Sequence, residues 1–235
     1  MGQEEKWLAE HGETIHDTVR QATRTLLRAE RTTATVCHVM EKASRQAAAL
    51  VEQSPQRAAH ACAAGCCFCC YLPVDITVPE ALSITVYAQT MLTSDAFEAL
   101  CQRLEGTVAH VRGLSYEEHA RAHIPCALLV DGRCSVYPSR PLACRAWSST
   151  SMSRCKEVFH GDPVTMLPPL DTDAYDAVWS VARGVAAGVK QARLDNKTYE
   201  LHSILQRLLE KPEVVSQWLR GEDAFAGCTI GAFTG

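Results

Sequence analysis

The first pattern along the chain is helical and covers residues 14–53. Apolar and small side chains recur there at steps of three and four residues, and no glycine or proline interrupts the stretch. This period predicts either one long amphipathic helix with five heptads or two successive helices that share a buried face. That face can pack on other helices of this chain, on a protein partner or on a second copy in a homodimer. We call it the N-terminal seam; its members are Ile15, Val19, Ala22, Leu26, Ala29, Thr33, Val36, Met40, Ala43, Ala47 and Leu50.

Beyond residue 58 the pattern changes to shorter elements. Pro79 suits the first position of a helix, and Glu80 favours the positive helix start. Residues 115–118 have the spacing of a capping box, which predicts another helix start. The pair Asp131-Gly132 separates two short apolar runs and is a strong signal for the tight turn of a β-hairpin.

The last part of the chain returns to helical periods. One begins near Asp171, a second carries leucines from Leu201 onward, and Pro212 opens a short third one. The glycine-rich tail, residues 221–235, is expected to be loosely ordered. Together the patterns predict a mainly α fold with a small cysteine-rich metal-binding core that contains a short β-hairpin. We expect one compact unit with three segments. These are an N-terminal helical segment (1–58), a cysteine-cluster metal-binding domain (59–160) and a C-terminal helical segment (161–235).

Charge and composition exclude several classes of protein. The formal net charge of −4 gives no reason to expect nucleic acid as a partner. No apolar run is long enough to cross a bilayer, so no membrane association is expected. The polar start of the chain does not have the pattern of a signal peptide, which predicts a cytoplasmic protein. In a reducing compartment, twelve cysteines indicate metal binding or catalysis rather than disulfides.

The cysteines are concentrated in one run of the form C-x3-C-x2-C-C, with Cys67 as an additional thiol. Five cysteines lie within the nine residues from Cys62 to Cys70. Thiolates are soft ligands that suit zinc, copper(I) or iron–sulfur clusters. Gly65 allows the backbone to curl so that several sulfurs converge. The eight predicted metal ligands are Cys62, Cys66, Cys69, Cys70, Cys126, Cys134, Cys144 and Cys155.

Four motifs follow one another in a specific order. The C-x3-C-x2-C-C run precedes Pro79-Glu80, a stretch from Asp131 to Tyr137 and a stretch from Arg140 to Arg145. In order and spacing they resemble the YkgJ-type cysteine-cluster proteins over residues 60–156. The resemblance implies a zinc- or iron-chelating domain with eight recurring cysteines. A resembling branch includes flagellin lysine methylases, which hints at SAM-linked chemistry.

Eight thiolates are enough for two centres with four ligands each. The adjacent Cys69 and Cys70 point in different directions and so more naturally serve two centres. One division puts Cys62, Cys66 and Cys69 on one centre and Cys70 with distal cysteines on the other. The triplet spacing, with Phe68 before the third cysteine, favours an iron–sulfur cluster with redox or SAM-linked use. The alternative is a zinc-binding structural or metal-handling module, or a helical interaction protein that the cluster region only stabilises.

Two basic residues and one aromatic residue accompany the distal cysteines. Arg140 and Arg145 flank Cys144, where their charges can compensate a thiolate centre that carries net negative charge. The alternative for both is a surface ion pair with a carboxylate. Tyr137 is expected either to close over the site or to pack on the hairpin. We therefore predict Arg140, Arg145 and Tyr137 as residues that contact the bound cofactor.

The remaining cysteines and nearby histidines are weaker candidates. Cys67 is expected to be dispensable, and the bystander cysteines are Cys37, Cys101 and Cys228. His60 is expected to be a hydrogen-bond donor behind the ligands rather than a ligand itself. His119 and His123 lie one helical turn apart and are expected on an exposed face. No pattern indicates a catalytic triad, a phosphate-binding loop or a dinucleotide fingerprint, so catalytic residues and substrate stay unassigned.

Overall fold

The computed structural model describes residues 3–63 and 65–229, with side chains from Gly12 onward. Helices dominate this part of the chain, as the apolar periods predict. They are α1 (Gln3–Ala29), α2 (Thr33–Glu52), α3 (Val78–Met91), α4 (Ser94–Val111), α5 (Tyr116–Arg121), α6 (Leu142–Ala146), α7 (Met152–His160), α8 (Thr172–Gln191), α9 (Leu201–Glu210) and α10 (Glu213–Leu219). The strands are β1 (Asp75–Thr77), β2 (Leu129–Val130), β3 (Arg133–Cys134) and β4 (Thr198–Glu200). The predicted mainly α class with a short β-hairpin is confirmed.

The strands form two small antiparallel pairs in the described residues. β2 and β3 are the predicted hairpin, and both turn residues, Asp131 and Gly132, have positive φ angles of 49° and 73°. β1 pairs with β4, which lies far away in the sequence, and places Asp75 opposite Glu200. This second pair connects the cysteine-rich segment to the start of α9.

The N-terminal helical stretch is two helices, separated at residues 30–32. Thr32 caps α2, because its hydroxyl oxygen accepts a hydrogen bond from the Thr35 amide at 3.2 Å. On α2 the N-terminal seam is buried as predicted. On α1 its position is wrong, since Ala22 and Ala29 are exposed and the buried face runs through Val19, Thr23 and Leu27. The difference follows from the break, which allows each helix its own rotation.

The buried face of α1 lies along α8 of the same chain. Two glycines of α8 allow this approach: a Cβ on Gly184 would lie 2.7 Å from the His16 carbonyl oxygen, and one on Gly188 would lie 2.5 Å from the Thr23 Cβ. Of the alternatives for the N-terminal seam, the structure therefore shows α1 packed closely on a helix of the same chain. The seam residues of α2 face α8 and α3.

The hydrophobic core joins residues from both helical ends of the chain with residues from the cysteine-rich middle. It contains Ile76 and Leu82 near the cysteine run, Leu142 on α6, and Trp218 on α10. The expected loose tail is ordered as far as it is described, because Phe225 is fully buried. Residues 230–235 lie outside the described residues. Within the described part, no helix combines the length and apolar character needed to cross a membrane.

Candidate metal centre

The cysteine run has an irregular, curled backbone. Gly65 adopts a φ angle of +92°, the left-handed conformation that glycine accepts without strain. The Cys66 amide then donates to the Ala63 carbonyl at 3.0 Å, and the Cys70 amide donates to the Cys67 carbonyl at 2.9 Å. These two turns give the run the curled backbone that was predicted from Gly65.

Three separate elements carry the distal cysteines towards the run. The hairpin is anchored directly, because the Cys126 amide donates to the Cys70 carbonyl at 2.8 Å. Helix α6 carries Cys144 and is anchored by Glu80 of α3, whose carboxylate accepts from the Leu142 amide at 2.9 Å. Helix α7 carries Cys155, which is buried. The Pro79-Glu80 motif therefore has a structural purpose, namely to fix the start of α6.

The thiols fall into two sets of neighbours. Burial and the proximity of Cys62, Cys155 and Cys67 raise the pKa of the Cys66 thiol. Burial and the proximity of Cys126 and Cys70 raise the pKa of Cys134 to about 11. Burial and three thiol neighbours likewise raise the pKa of Cys144. We call Cys62, Cys66, Cys69 and Cys155 the first thiol set, and Cys70, Cys126, Cys134 and Cys144 the second thiol set.

Cys69 and Cys70 lie where the two sets meet. A hydrogen bond between their side chains raises the pKa of Cys69 and lowers that of Cys70. Cys69 also interacts with Cys62 and with Cys144, one from each set. The division by sequence, in which adjacent cysteines serve different centres, stays a prediction. Among the described residues, however, no group of three or more Cys, His, Asp or Glu side chains has the arrangement of a formed metal site.

Backbone amides donate hydrogen bonds to three of these sulfurs. The Ser149 amide lies 3.3 Å from Cys62 Sγ. The Phe68 amide donates to Cys66, and the Val136 amide donates to Cys134, in each case two residues after the cysteine. Amides that point at sulfur favour its anionic form, which is the form that binds metal. These amides oppose the effect of burial, which raises the pKa of Cys66 and Cys134. The Cys62 thiol also lies within donor distance of the Trp147 and Ser149 carbonyls, at 3.7 and 3.8 Å.

Two arginines stand beside the second thiol set. Arg145 is buried, and its guanidinium donates to the Pro138 carbonyl. Arg140 lies over the Tyr137 ring with its Cζ 3.9 Å from the ring centroid. The Nε atoms of both arginines are buried without a hydrogen-bond partner, and no ion pair joins either one to a carboxylate in the described residues. The alternative of a surface ion pair is therefore not found.

The charges of these groups affect one another. Burial and the neighbouring Arg140 lower the pKa of Arg145 to about 10, and Arg140 also acts to lower the pKa values of Cys70, Cys134 and Cys144. Tyr137 is 56% exposed and is covered by Arg140, so it packs against the cation at the surface. The arrangement places two cations beside the second thiol set.

His60 forms part of a buried clasp below the cysteine run. Its Nε2 lies 2.6 Å from Asp171 Oδ2, and the Ser54 hydroxyl donates to the same oxygen at 2.5 Å. The other oxygen of Asp171 caps α8 by accepting from the Ala174 amide at 3.0 Å. The Asp171 carboxylate thereby connects three places: Ser54 just after α2, His60 two residues before Cys62, and the start of α8. His60 contacts Asp171 rather than a cysteine, so its expected role as a donor behind the metal ligands stays a prediction.

We expect Asp171→Ala to lower the free energy of unfolding by about 3 kcal/mol, because it removes a helix cap and leaves two buried polar groups unpaired. Chemical denaturation followed by circular dichroism measures the change. Asp223→Ala is the matched control: it removes an exposed carboxylate paired with Lys197 and should have little effect. Equal loss of stability in both variants would contradict a structural role for the clasp.

A histidine of α9 also reaches the second thiol set. His202 lies between Glu200 and Cys126, and both partners raise its pKa to about 10 although burial opposes this. Hydrogen bonds from His202 and Ser203 lower the pKa of Glu200 to about 2, again against burial. The sequence reasoning missed both residues. Their only local signal is a polar pair, Glu-x-His, at the start of an otherwise apolar helix.

The remaining candidate histidines and cysteines pack against other parts of the fold. The predicted exposed position is wrong for His119, which is 2% exposed, because α5 packs this residue towards His202. His123 is partly buried, and its Nε2 donates to the Phe159 carbonyl at 2.6 Å. Cys228 is buried and donates to the Ser203 carbonyl. Cys37 and Cys101 are half-buried on α2 and α4.

Comparisons with protein-family models, curated proteins and solved structures find no match to this chain. The resemblance to the YkgJ-type cysteine-cluster proteins therefore stays a prediction from the motifs.

Proposed function

We propose that this chain is a metal-binding cysteine-cluster protein that holds two centres, one in each thiol set. Each set supplies four thiols, which is the number that a zinc ion or an iron–sulfur cluster takes from protein. A bound iron–sulfur cluster would supply electron transfer, whereas zinc would supply only structural support. The proposal requires reduced sulfurs, which suits the expected cytoplasmic location.

The observation that carries the proposal is the pair of arginines beside the second thiol set. A buried cation without an anionic partner is costly. Four neutral thiols leave the buried Arg145 and the half-buried Arg140 without a paired anion among the described residues, whereas four thiolates around a divalent core carry a net charge of about −2. The two charges balance only when the thiols are deprotonated, as they are in a metal complex. The amides that donate to Cys62, Cys66 and Cys134 support the same state.

The surroundings of the first thiol set favour electron transfer or structural support over SAM-linked chemistry. Cys155 lies near Cys66 and adds a fourth thiol to the triplet. A cluster with four protein ligands has no open position for a substrate. The crevice lined by Cys69, Cys155, Tyr71 and Phe159 has a volume of only about 20 Å³, about the space of one water molecule.

Elemental analysis of anaerobically purified protein tests the proposal. An iron–sulfur protein should be brown and contain iron and acid-labile sulfide in equal amounts. The zinc alternative should give a colourless protein with about two zinc ions per chain. Cys37→Ser and Cys101→Ser serve as controls and should keep the full metal content. A folded protein that takes up no transition metal, even after anaerobic reconstitution, would contradict both alternatives.

A further inference from the structure

A polar cavity lies between α9, the end of α4, α5 and the described end of the chain, and its volume is about 160 Å³. The face of α9 that lines it is polar, with members three and four residues apart: Ser203, Gln206, Arg207 and Glu210. The opposite face of α9 belongs to the hydrophobic core. A cavity of about 150 Å³ can hold a molecule the size of benzene, so this one has room for a small ligand.

Two arginines line this cavity without an ion-pair partner. Arg112 directly follows α4 and is exposed, and Arg207 lies half-buried in the last turn of α9. Neither guanidinium pairs with a carboxylate among the described residues. Arg207 Nη2 makes only a long contact, 3.4 Å, with the Ala226 carbonyl oxygen. Guanidinium groups of this kind suit the bidentate binding of a carboxylate or a phosphate.

The carboxylates that line the cavity already accept hydrogen bonds from α9. Glu200 Oε1 accepts from the His202 amide at 3.1 Å, and Glu200 Oε2 accepts from the Ser203 amide at 2.7 Å. At the other end of the helix, Glu210 Oε1 accepts from the Gln206 side-chain amide at 2.7 Å. These carboxylates support the helix rather than the arginines. The donors of both guanidinium groups therefore stay available to a ligand.

His119 adds a third polar group, from the α5 side of the cavity. It is 2% exposed, and its ring makes no hydrogen bond with any residue in the described part of the chain. Burial is the main cause that lowers the pKa of His119, which keeps the ring neutral, with one donor and one acceptor. A buried polar ring without a protein partner needs water or a ligand to satisfy it.

We propose that this cavity binds a small organic anion whose carboxylate or phosphate group contacts Arg112 and Arg207 and whose other end contacts His119. The volume limits such a ligand to about six to eight non-hydrogen atoms. The lining contains none of the eight predicted metal ligands. The site is therefore separate from both thiol sets and does not depend on the proposed function.

Titration calorimetry on the full chain tests the site with two probes, sodium lactate and inorganic phosphate, at constant ionic strength. Arg112→Gln and Arg207→Gln each remove one guanidinium, and His119→Leu removes the polar ring with little change in volume. The matched control is Arg45→Gln, which removes an exposed guanidinium that pairs with Glu41 on α2. Tighter binding of phosphate would identify a phosphate ester as the natural ligand, and tighter binding of lactate would identify a hydroxy acid.

We expect each of Arg112→Gln and Arg207→Gln to weaken binding about tenfold or more, because each removes a charged hydrogen-bond donor. His119→Leu should weaken it about three- to tenfold, as expected for one neutral hydrogen bond, and Arg45→Gln should bind like the parent. If His119→Leu does not fold, the two arginine variants decide. Absence of binding at millimolar concentrations of both probes would overturn the proposal. Equal binding in the parent and both arginine variants would place the anion elsewhere and overturn it too.

Discussion

Serine at Cys155 and serine at Cys134 are expected to remove metal from different centres of the same protein. Cys155 neighbours Cys66 in the first thiol set, whereas Cys134 neighbours Cys126 and Cys70 in the second. Each single variant should therefore lose about half of the bound metal, because a four-thiolate site rarely tolerates the loss of one ligand. The combination of both should lose nearly all of it. Elemental analysis per folded chain measures these amounts.

Pairs of substitutions within one set sharpen this prediction. Cys134→Ser combined with Cys144→Ser should lose no more metal than Cys134→Ser alone, since both act on one centre. Cys101→Ser is the matched control from a half-buried position outside the sets. Complete metal loss from either single variant would indicate one shared centre and would refute the division into two.

Alanine at Gly188 is expected to destabilise the protein by about 3 kcal/mol, even though alanine favours helix. The added Cβ would lie 2.5 Å from the Thr23 Cβ and 2.7 Å from the Arg20 carbonyl oxygen, so that α1 must move away from α8. Overpacking of this kind typically costs about 1–3 kcal/mol, and the backbone contact places this site at the upper end. Thermal or chemical unfolding measures the loss.

Gly106 provides the matched control for Gly188. It also lies within a helix, α4, but a Cβ added there meets no atom within 4 Å. Gly106→Ala should therefore stabilise the protein by about 0.5–1 kcal/mol through helix propensity alone. If both alanines stabilise the protein, the close contact between α1 and α8 does not exist in solution.

Local signals in the sequence were enough for much of the fold. The capping box at Ser115 and Glu118 and the Asp131-Gly132 turn are short-range patterns, and both are found as predicted. The rotation of α1 was not predictable in the same way, because both candidate faces carry small or apolar residues. What selects the face is the pair of glycines on α8, and their effect depends on three-dimensional contact.

The candidate site was predictable only in part, for a related reason. The clustering of cysteines and the flanking Arg140 and Arg145 are visible in the sequence itself. His202 is not, since it reaches Cys126 through the pairing of β1 with β4, two short strands at distant positions. The burial of His119 has the same origin. Residues that act through a neighbour on another element leave no spacing pattern to detect.

The order in which the thiols appear during synthesis follows from their positions along the chain. Among the eight predicted ligands, those from Cys62 to Cys70 leave the ribosome first. Cys155 follows much later, and so does α8, whose capping residue Asp171 contacts His60. At about 5–20 residues per second, the interval is on the order of ten seconds. During that time five thiols are exposed on a nascent chain with neither their partners nor the helix that supports them. Production of the protein with reduced thiols should therefore depend strongly on reducing, anaerobic conditions during synthesis, independently of how stable the finished fold is.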